Sequence, residues 1–93
     1  MSTSNSPILN AKLSLDSDVP LYNQLVVIIK RHISAGILSP GDLLPSEAEL
    51  CRALSISRST VRQAIGALES EGLVVRRQGK GTFVAEPKVH RKT

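Results

Sequence analysis

Residues 57–71, running from Ser57 to Glu71, constrain the fold more than any other stretch. Val61, Ala64, Ile65 and Leu68 recur at three- and four-residue steps, which lines them along one side of a helix that must face a core. Ser59, Arg62, Gln63 and Gly66 recur at the same steps on nearly the opposite side, with Arg58 at its edge. Two guanidiniums, an amide, a hydroxyl and a bare backbone position therefore share one face. Arg, Gln and Ser can hydrogen-bond base edges or phosphates in a DNA major groove. The commoner fate of such a face is simple solvation, so the rest of the chain has to decide.

Charge is the first arbiter. The 93 residues carry a net charge of +4, unevenly spread. Residues 1–56 hold Lys12, Lys30, Arg31 and Arg52 against Asp16, Asp18, Asp42, Glu47 and Glu49, one negative charge in balance. Residues 57–93 hold Arg58, Arg62, Arg76, Arg77, Lys80, Lys88, Arg91 and Lys92 against Glu69, Glu71 and Glu86, five positive in balance. Positive charge thus starts at the two-faced helix and continues beyond it, which favours a polyanion partner. Tyr22 and Phe83 are the only aromatics, so the core is aliphatic and base stacking of the single-strand or RNA-module kind has little to use.

The elements around that helix follow from local signals. Residues 1–18 are polar and Ser-rich and read as a flexible lead, with a short strand at Leu13 and Leu15 the one element they could add. Order begins at Val19 and Pro20, and a first helix is expected from about Leu21 to Ala35 with Leu21, Leu25, Ile28, Ile29 and Ile33 inward and Gly36 as its C-terminal cap. His32 falls beside that stripe, where a packed, hydrogen-bonded imidazole is expected. Pro40 and Gly41 mark a turn, and Leu43 and Leu44 suit a minimal edge strand before Pro45. Ser46 and Glu49 form a capping box that opens a second helix reaching about Leu54 and packing through Leu50, Ala53 and Leu54. Ser55 and Ile56 make the turn, Ser57 caps the third helix, and Gly72 ends it. The β-rich segments 73–77 and 82–86 flank Gln78, Gly79, Lys80 and Gly81, the pattern of a hairpin with a glycine-dependent turn. Residues 87–93 read as a basic tail or linker. The fold class is therefore mainly α with a small β-hairpin: a winged helix-turn-helix over residues 19–86, three helices plus a two- or three-stranded wing.

In this arrangement Arg58, Ser59, Thr60, Arg62 and Gln63 would enter a major groove. An arginine fork matches guanine O6 and N7 together, and glutamine can pair with adenine. The helix starts at Ser46 and Ser57 offer N–H groups to phosphates. Arg76, Arg77, Gln78, Gly79 and Lys80 would reach the flanking strand or minor groove.

Catalysis finds no support. His32 and His90 are isolated, and neither stands in a nucleophilic or zinc-protease pattern. The segment Gly79 to Thr82 resembles part of a P-loop, but Lys80 precedes a glycine and a strand rather than opening a long helix, so a nucleotide cradle is rejected. Cys51 is the single cysteine, which allows no internal disulfide and no thiolate metal site. No metal, no cofactor and no membrane span is expected, nor does the N-terminus carry a secretory signal. A reducing cytoplasm fits.

The residues also match a known family. Pro20-Leu21-Tyr22 with Gln24, Gly36, Pro40-Gly41, Leu44-Pro45-Ser46-Glu47, Leu50, Ser57-Arg58, Thr60-Val61-Arg62, Ala64, Leu68, Glu71-Gly72-Leu73 and Gly79-Lys80-Gly81-Thr82-Phe83-Val84 follow in order without gaps. Residues 19–85 thereby resemble the N-terminal winged-helix domain of GntR-family bacterial transcription regulators. The Pro-Leu-Tyr opening is similar to the HutC-type branch, with the short YtrA-type branch second. The resemblance implies homodimers on palindromic operators, often repressors released by a small metabolite. It also implies contacts to bases and phosphates from Arg58, Ser59, Thr60 and Arg62, and to the minor groove from Gln78 and Gly79. One departure stands out: the family's usual basic residue after Pro-Ser-Glu is here Ala48, which removes one expected DNA contact. The resemblance further implies a C-terminal domain for effector binding and dimerisation, which these 93 residues do not contain. The competing function is a winged helix serving as a protein-interaction module, which would call for apolar residues on the exposed face of the third helix in place of Arg, Ser and Gln.

Overall fold

The computed structural model describes residues 7–10 and 12–86. Helix α1 spans Leu21–Ser34, α2 Glu47–Leu54 and α3 Arg58–Ser70, followed by strands β1, Val74–Arg77, and β2, Gly81–Val84. A short 3₁₀ turn, Pro7–Asn10, precedes them. The expected basic tail at 87–93 lies outside the described residues.

Helix boundaries fall where the capping residues put them. Ser46 accepts the Glu49 amide at 3.1 Å while its own amide donates to the Glu49 carboxylate at 2.8 Å, closing the capping box. Ser57 accepts the Thr60 amide at 3.1 Å. Helices α1 and α3 finish alike. Gly36 and Gly72 take φ of 80° and 77°. The amides after them, Ile37 and Leu73, return to the carbonyls of His32 and Leu68 at 2.9 and 3.0 Å. A left-handed residue at that point satisfies carbonyls that the helix leaves open, and glycine takes it without steric cost. Helix α2 ends differently. Ser55 holds φ of 58°, the one positive φ at a non-glycine among the described residues, so the turn between α2 and α3 is strained by about 1–2 kcal/mol.

The core is one aliphatic cluster. Val61, Ala64, Ile65 and Leu68 of α3 are all buried, and α3 packs most extensively on α1 through Leu25, Val26 and Ile29. Truncating Leu68 to alanine would cost about 2–5 kcal/mol, because a fully enclosed site relaxes only partly around the cavity. Two inward positions differ from expectation. Val26 is buried although it lies off the anticipated α1 stripe, and Ala53 of α2 is exposed while Cys51 and Leu54 lean on the core. His32 is half-buried, its Nδ1 2.7 Å from the Ile28 carbonyl, which can only accept and so fixes a proton on that nitrogen.

β1 and β2 pair antiparallel, Val74 opposite Val84 through Arg77 opposite Gly81. On the other edge of β2 the Gly41 amide donates to Val84, the Val84 amide to Asp42, and the Leu44 amide to Thr82, at 2.8–2.9 Å. Leu43 thereby forms an isolated antiparallel bridge to Phe83, so the edge strand that Leu43 and Leu44 suggested is reduced to one bridge beside a two-stranded hairpin. Gly81 has φ of 117°, a conformation that glycine takes and side chains rarely do; a Cβ there would also stand 2.9 Å from Leu43 Cδ1, the far end of an exposed side chain that could give way.

The described part of the 1–18 lead is more closely packed than its polar composition suggests: Ile8 is fully buried, and Leu9 and Leu13 pack against the core. A few apolar side chains suffice when the body offers a seat for them. No strand forms at Leu13 and Leu15; that stretch runs as loop, and Leu15 is exposed.

Candidate nucleic-acid interface

The start of α3 gathers polar groups that packing does not use. Ser57, Arg58, Ser59, Arg62 and Gln63 are exposed, on the side away from the buried stripe. Ser57 Oγ lies 2.8 Å from Thr60 Oγ1 and 3.3 Å from Ser59 Oγ, so three hydroxyls meet at the first turn. Thr60 is half-buried and its hydroxyl is engaged with Ser57, which makes it part of the cap more than a free contact. No acidic residue occupies the first turn of α3. Its amide end and the Arg58 guanidinium thus present uncompensated positive character to solvent. Gly66, one turn beyond Arg62 and Gln63, has nothing within 4 Å of where a Cβ would point, leaving the backbone open to close approach.

The carboxylates at the far end of α3 are neutralised. Lys30 Nζ pairs with Glu71 at 2.8 Å, and Arg76 Nε with Glu69 at 3.6 Å. Arg76, expected among the wing residues that reach the flanking strand, sits in β1 opposite Thr82 with its guanidinium turned to Glu69. Arg77, Gln78, Gly79 and Lys80 are all exposed at the tip. The Lys80 amide closes the turn on the Arg77 carbonyl at 2.9 Å, with Gly79 at φ 77°.

Glu47 joins these parts; the sequence pattern included it in the Pro-Ser-Glu motif but gave it no role at this surface. Its carboxylate stands 4.0 Å from Arg62 Nε, a solvent-facing pair that contributes little to stability. On its other side Glu47 lines, with Ser46 and Glu49, a cleft whose opposite wall is the wing from Arg76 to Thr82. The α3 face, the α2 start and the wing tip are thus contiguous. Ser46, expected as a phosphate anchor, is exposed, but its hydroxyl and amide both serve the capping box and two carboxylates share its turn. The sequence signals at Glu47 were its place one residue after a helix cap, which sets it at the mouth of the helix, and its membership of the Pro-Ser-Glu motif; neither pointed to Arg62.

Among the described residues no group of three histidine, cysteine or acidic side chains gathers as a metal site would, and no helix is long and apolar enough to cross a membrane.

Comparison with known proteins agrees with this geometry. A family model described as "Bacterial regulatory proteins, gntR family" matches residues 21–84. The chain is 51% identical over 79 residues to the uncharacterized HTH-type transcriptional regulator YurK of Bacillus subtilis, covering 85% of this chain and 33% of YurK. It is 48% identical over 69 residues to the histidine utilization repressor of Klebsiella aerogenes, covering 74% of this chain and 29% of that protein. Among solved structures it resembles AraR(DBD) crystallised in complex with operator ORX1, with a TM-score of 0.74, 39% identity and coverage of 81% of this chain and 95% of that one. The chain spans about a third of the length of the curated relatives it matches.

Proposed function

The chain belongs to the GntR family of bacterial regulatory proteins, and from that premise we propose that it binds duplex DNA sequence-specifically to regulate transcription. In this reading α3 lies in the major groove. Arg58 and Arg62 contact guanine edges or phosphates, Gln63 offers an amide to a base, and Ser57 and Ser59 meet the backbone at the helix start. The wing tip, Arg77, Gln78, Gly79 and Lys80, follows the strand into the flanking minor groove. The single observation that carries the reading is the exposed face of α3: two arginines, Ser59 and Gln63 opposite a fully buried stripe, at a helix start free of acid.

A repressor is the form of regulation that fits a relative named for repression. The whole protein is expected to work in the cytoplasm as a homodimer on a palindromic operator, with a small-molecule effector received by a domain beyond these residues.

Selection of bound duplexes from a random pool tests the reading. A recurring half-site, with a spacing that reports dimer geometry, is the expected result. Lys80→Ala should then weaken binding to all sequences alike and reduce the salt slope by about one unit, as loss of one phosphate contact does. Recovery of no consensus from the pool, together with salt-insensitive binding, would favour the protein-interaction alternative instead.

A further inference from the structure

Helix α2 has eight residues and only Leu50 fully buried, too little to hold its own place. It rests on α3 and on the 3₁₀ turn at Pro7–Asn10, which also touches α1. Ile8 of that turn is 0% exposed, as enclosed as Leu25 or Leu68 at the centre of the core. Leu9 and Leu13 add partial burial beside it.

A second device holds the same segment to α1 further along. The Gln24 side chain accepts the Ser14 amide at 2.8 Å and donates to the Ser14 and Val19 carbonyls at 2.9 and 2.8 Å. Both its amide hydrogens and its oxygen are thus spent on the backbone of the incoming chain. Gln24 does for that segment what a strand partner would do, in one side chain.

We propose that Ile8 is a positioning residue for the reading head. Wedged between α1 and α2, it fixes the height and tilt of α2 on α3, and Gln24 keeps the wedge in register. The consequence reaches the interface through α2 itself, which carries Glu47 beside Arg62 and forms one wall of the wing cleft. The family match begins at residue 21, so Ile8 lies outside the part of the chain that the family model describes, while Gln24 lies inside it. The functional half of the inference rests on the DNA-binding reading; the structural half stands without it.

Two measurements on the 93-residue chain separate these halves. The first is amide hydrogen exchange on Ile8→Ala, Ile8→Leu and Gln24→Ala. Exchange in α2 should rise about tenfold relative to α1 and α3 in Ile8→Ala, less in Gln24→Ala, and return toward normal in Ile8→Leu. A uniform change over all three helices, or none, overturns the wedge. The second is the ratio of affinity for the selected duplex to affinity for random duplex, at a temperature where each variant is folded. Ile8→Ala should lower this ratio by about tenfold with the salt slope unchanged, because no phosphate contact is removed. Ile8→Leu should restore it. An unchanged ratio overturns the positioning role, since mere loss of stability leaves the folded fraction as discriminating as before. If Ile8→Ala does not fold, Ile8→Val is measured in its place. If the unaltered chain prefers no duplex, the DNA-binding reading falls, and the exchange pattern alone still upholds or overturns the wedge.

Discussion

The two helices of the helix-turn-helix begin with the same serine cap and are finished in opposite ways. At Ser46 the third residue is Glu49, which returns a hydrogen bond, and Glu47 adds a second carboxylate to the turn. At Ser57 the corresponding third residue is Thr60, which returns only a hydroxyl, and no acid is present. Helix α2 therefore satisfies its own positive end internally, while α3 leaves its end for something outside. A capping box is the better solution for stability. Where the chain gives it up, an anion from outside becomes the natural partner. That contrast points to α3 as the helix that meets phosphate and to α2 as the one that supports it.

The contrast can be broken by making α3 resemble α2. Ser59→Glu puts a carboxylate in the first turn of α3. It should stabilise the free chain by about 0.3–1 kcal/mol through the helix dipole, and cost DNA binding several kcal/mol by setting like charges together at the interface. Thermal melting and a mobility-shift titration would read the two signs separately; equal affinity with and without the glutamate would remove α3 from the phosphate path. Next in size is Arg58→Ala, expected to cost about 1–3 kcal/mol of operator affinity and to relax discrimination at one base position. The control is the exposed Arg52 of α2, where alanine should change affinity by no more than about 0.5 kcal/mol. Arginines of equal effect would erase the distinction between the helices.

Smaller effects sharpen the comparison. Ser57→Ala should lower stability by about 1 kcal/mol, measured by urea denaturation, since one helix amide loses its acceptor. Ser46→Ala should cost more, because the capping box loses its reciprocal partner. Ser55→Gly, in the turn between them, should raise stability by about 0.5–1 kcal/mol by relieving the left-handed backbone. A melting temperature that falls instead would mean the serine side chain holds the turn in some way its φ does not reveal.

Much of this architecture was legible in the sequence because its signals are local. A serine cap, a glutamate three residues on, a glycine just past the last turn: each acts within one helical turn of the atoms it satisfies. Ser46, Ser57, Gly36 and Gly72 were therefore readable one at a time, and so was the exposed face of α3. What escaped depends on distant partners. Ile8 lies in a polar stretch and is buried only because α1 and α2 leave a seat for it. Gln24 looks like any exposed polar residue until the chain ten positions earlier returns to it. Glu47 joins the candidate interface because α3 brings Arg62 beside it, and the Arg76 guanidinium turns to Glu69 from its place in β1. Pairings across the chain have no local signature, whereas the caps do.

The bridge between segment 41–44 and β2 has one further consequence. Its backbone bonds tie the root of the wing to the residues that lead straight into α2. The proposed major-groove and minor-groove contacts then sit on one body without a hinge between them, like the two jaws of a locked calliper. An operator with one base pair inserted between these contacts, a displacement of about 3.4 Å along the axis with its added twist, could not be met by bending the protein. The spacing between the two contacts within each half-site would be set by three amide hydrogens rather than by the side chains that touch the bases.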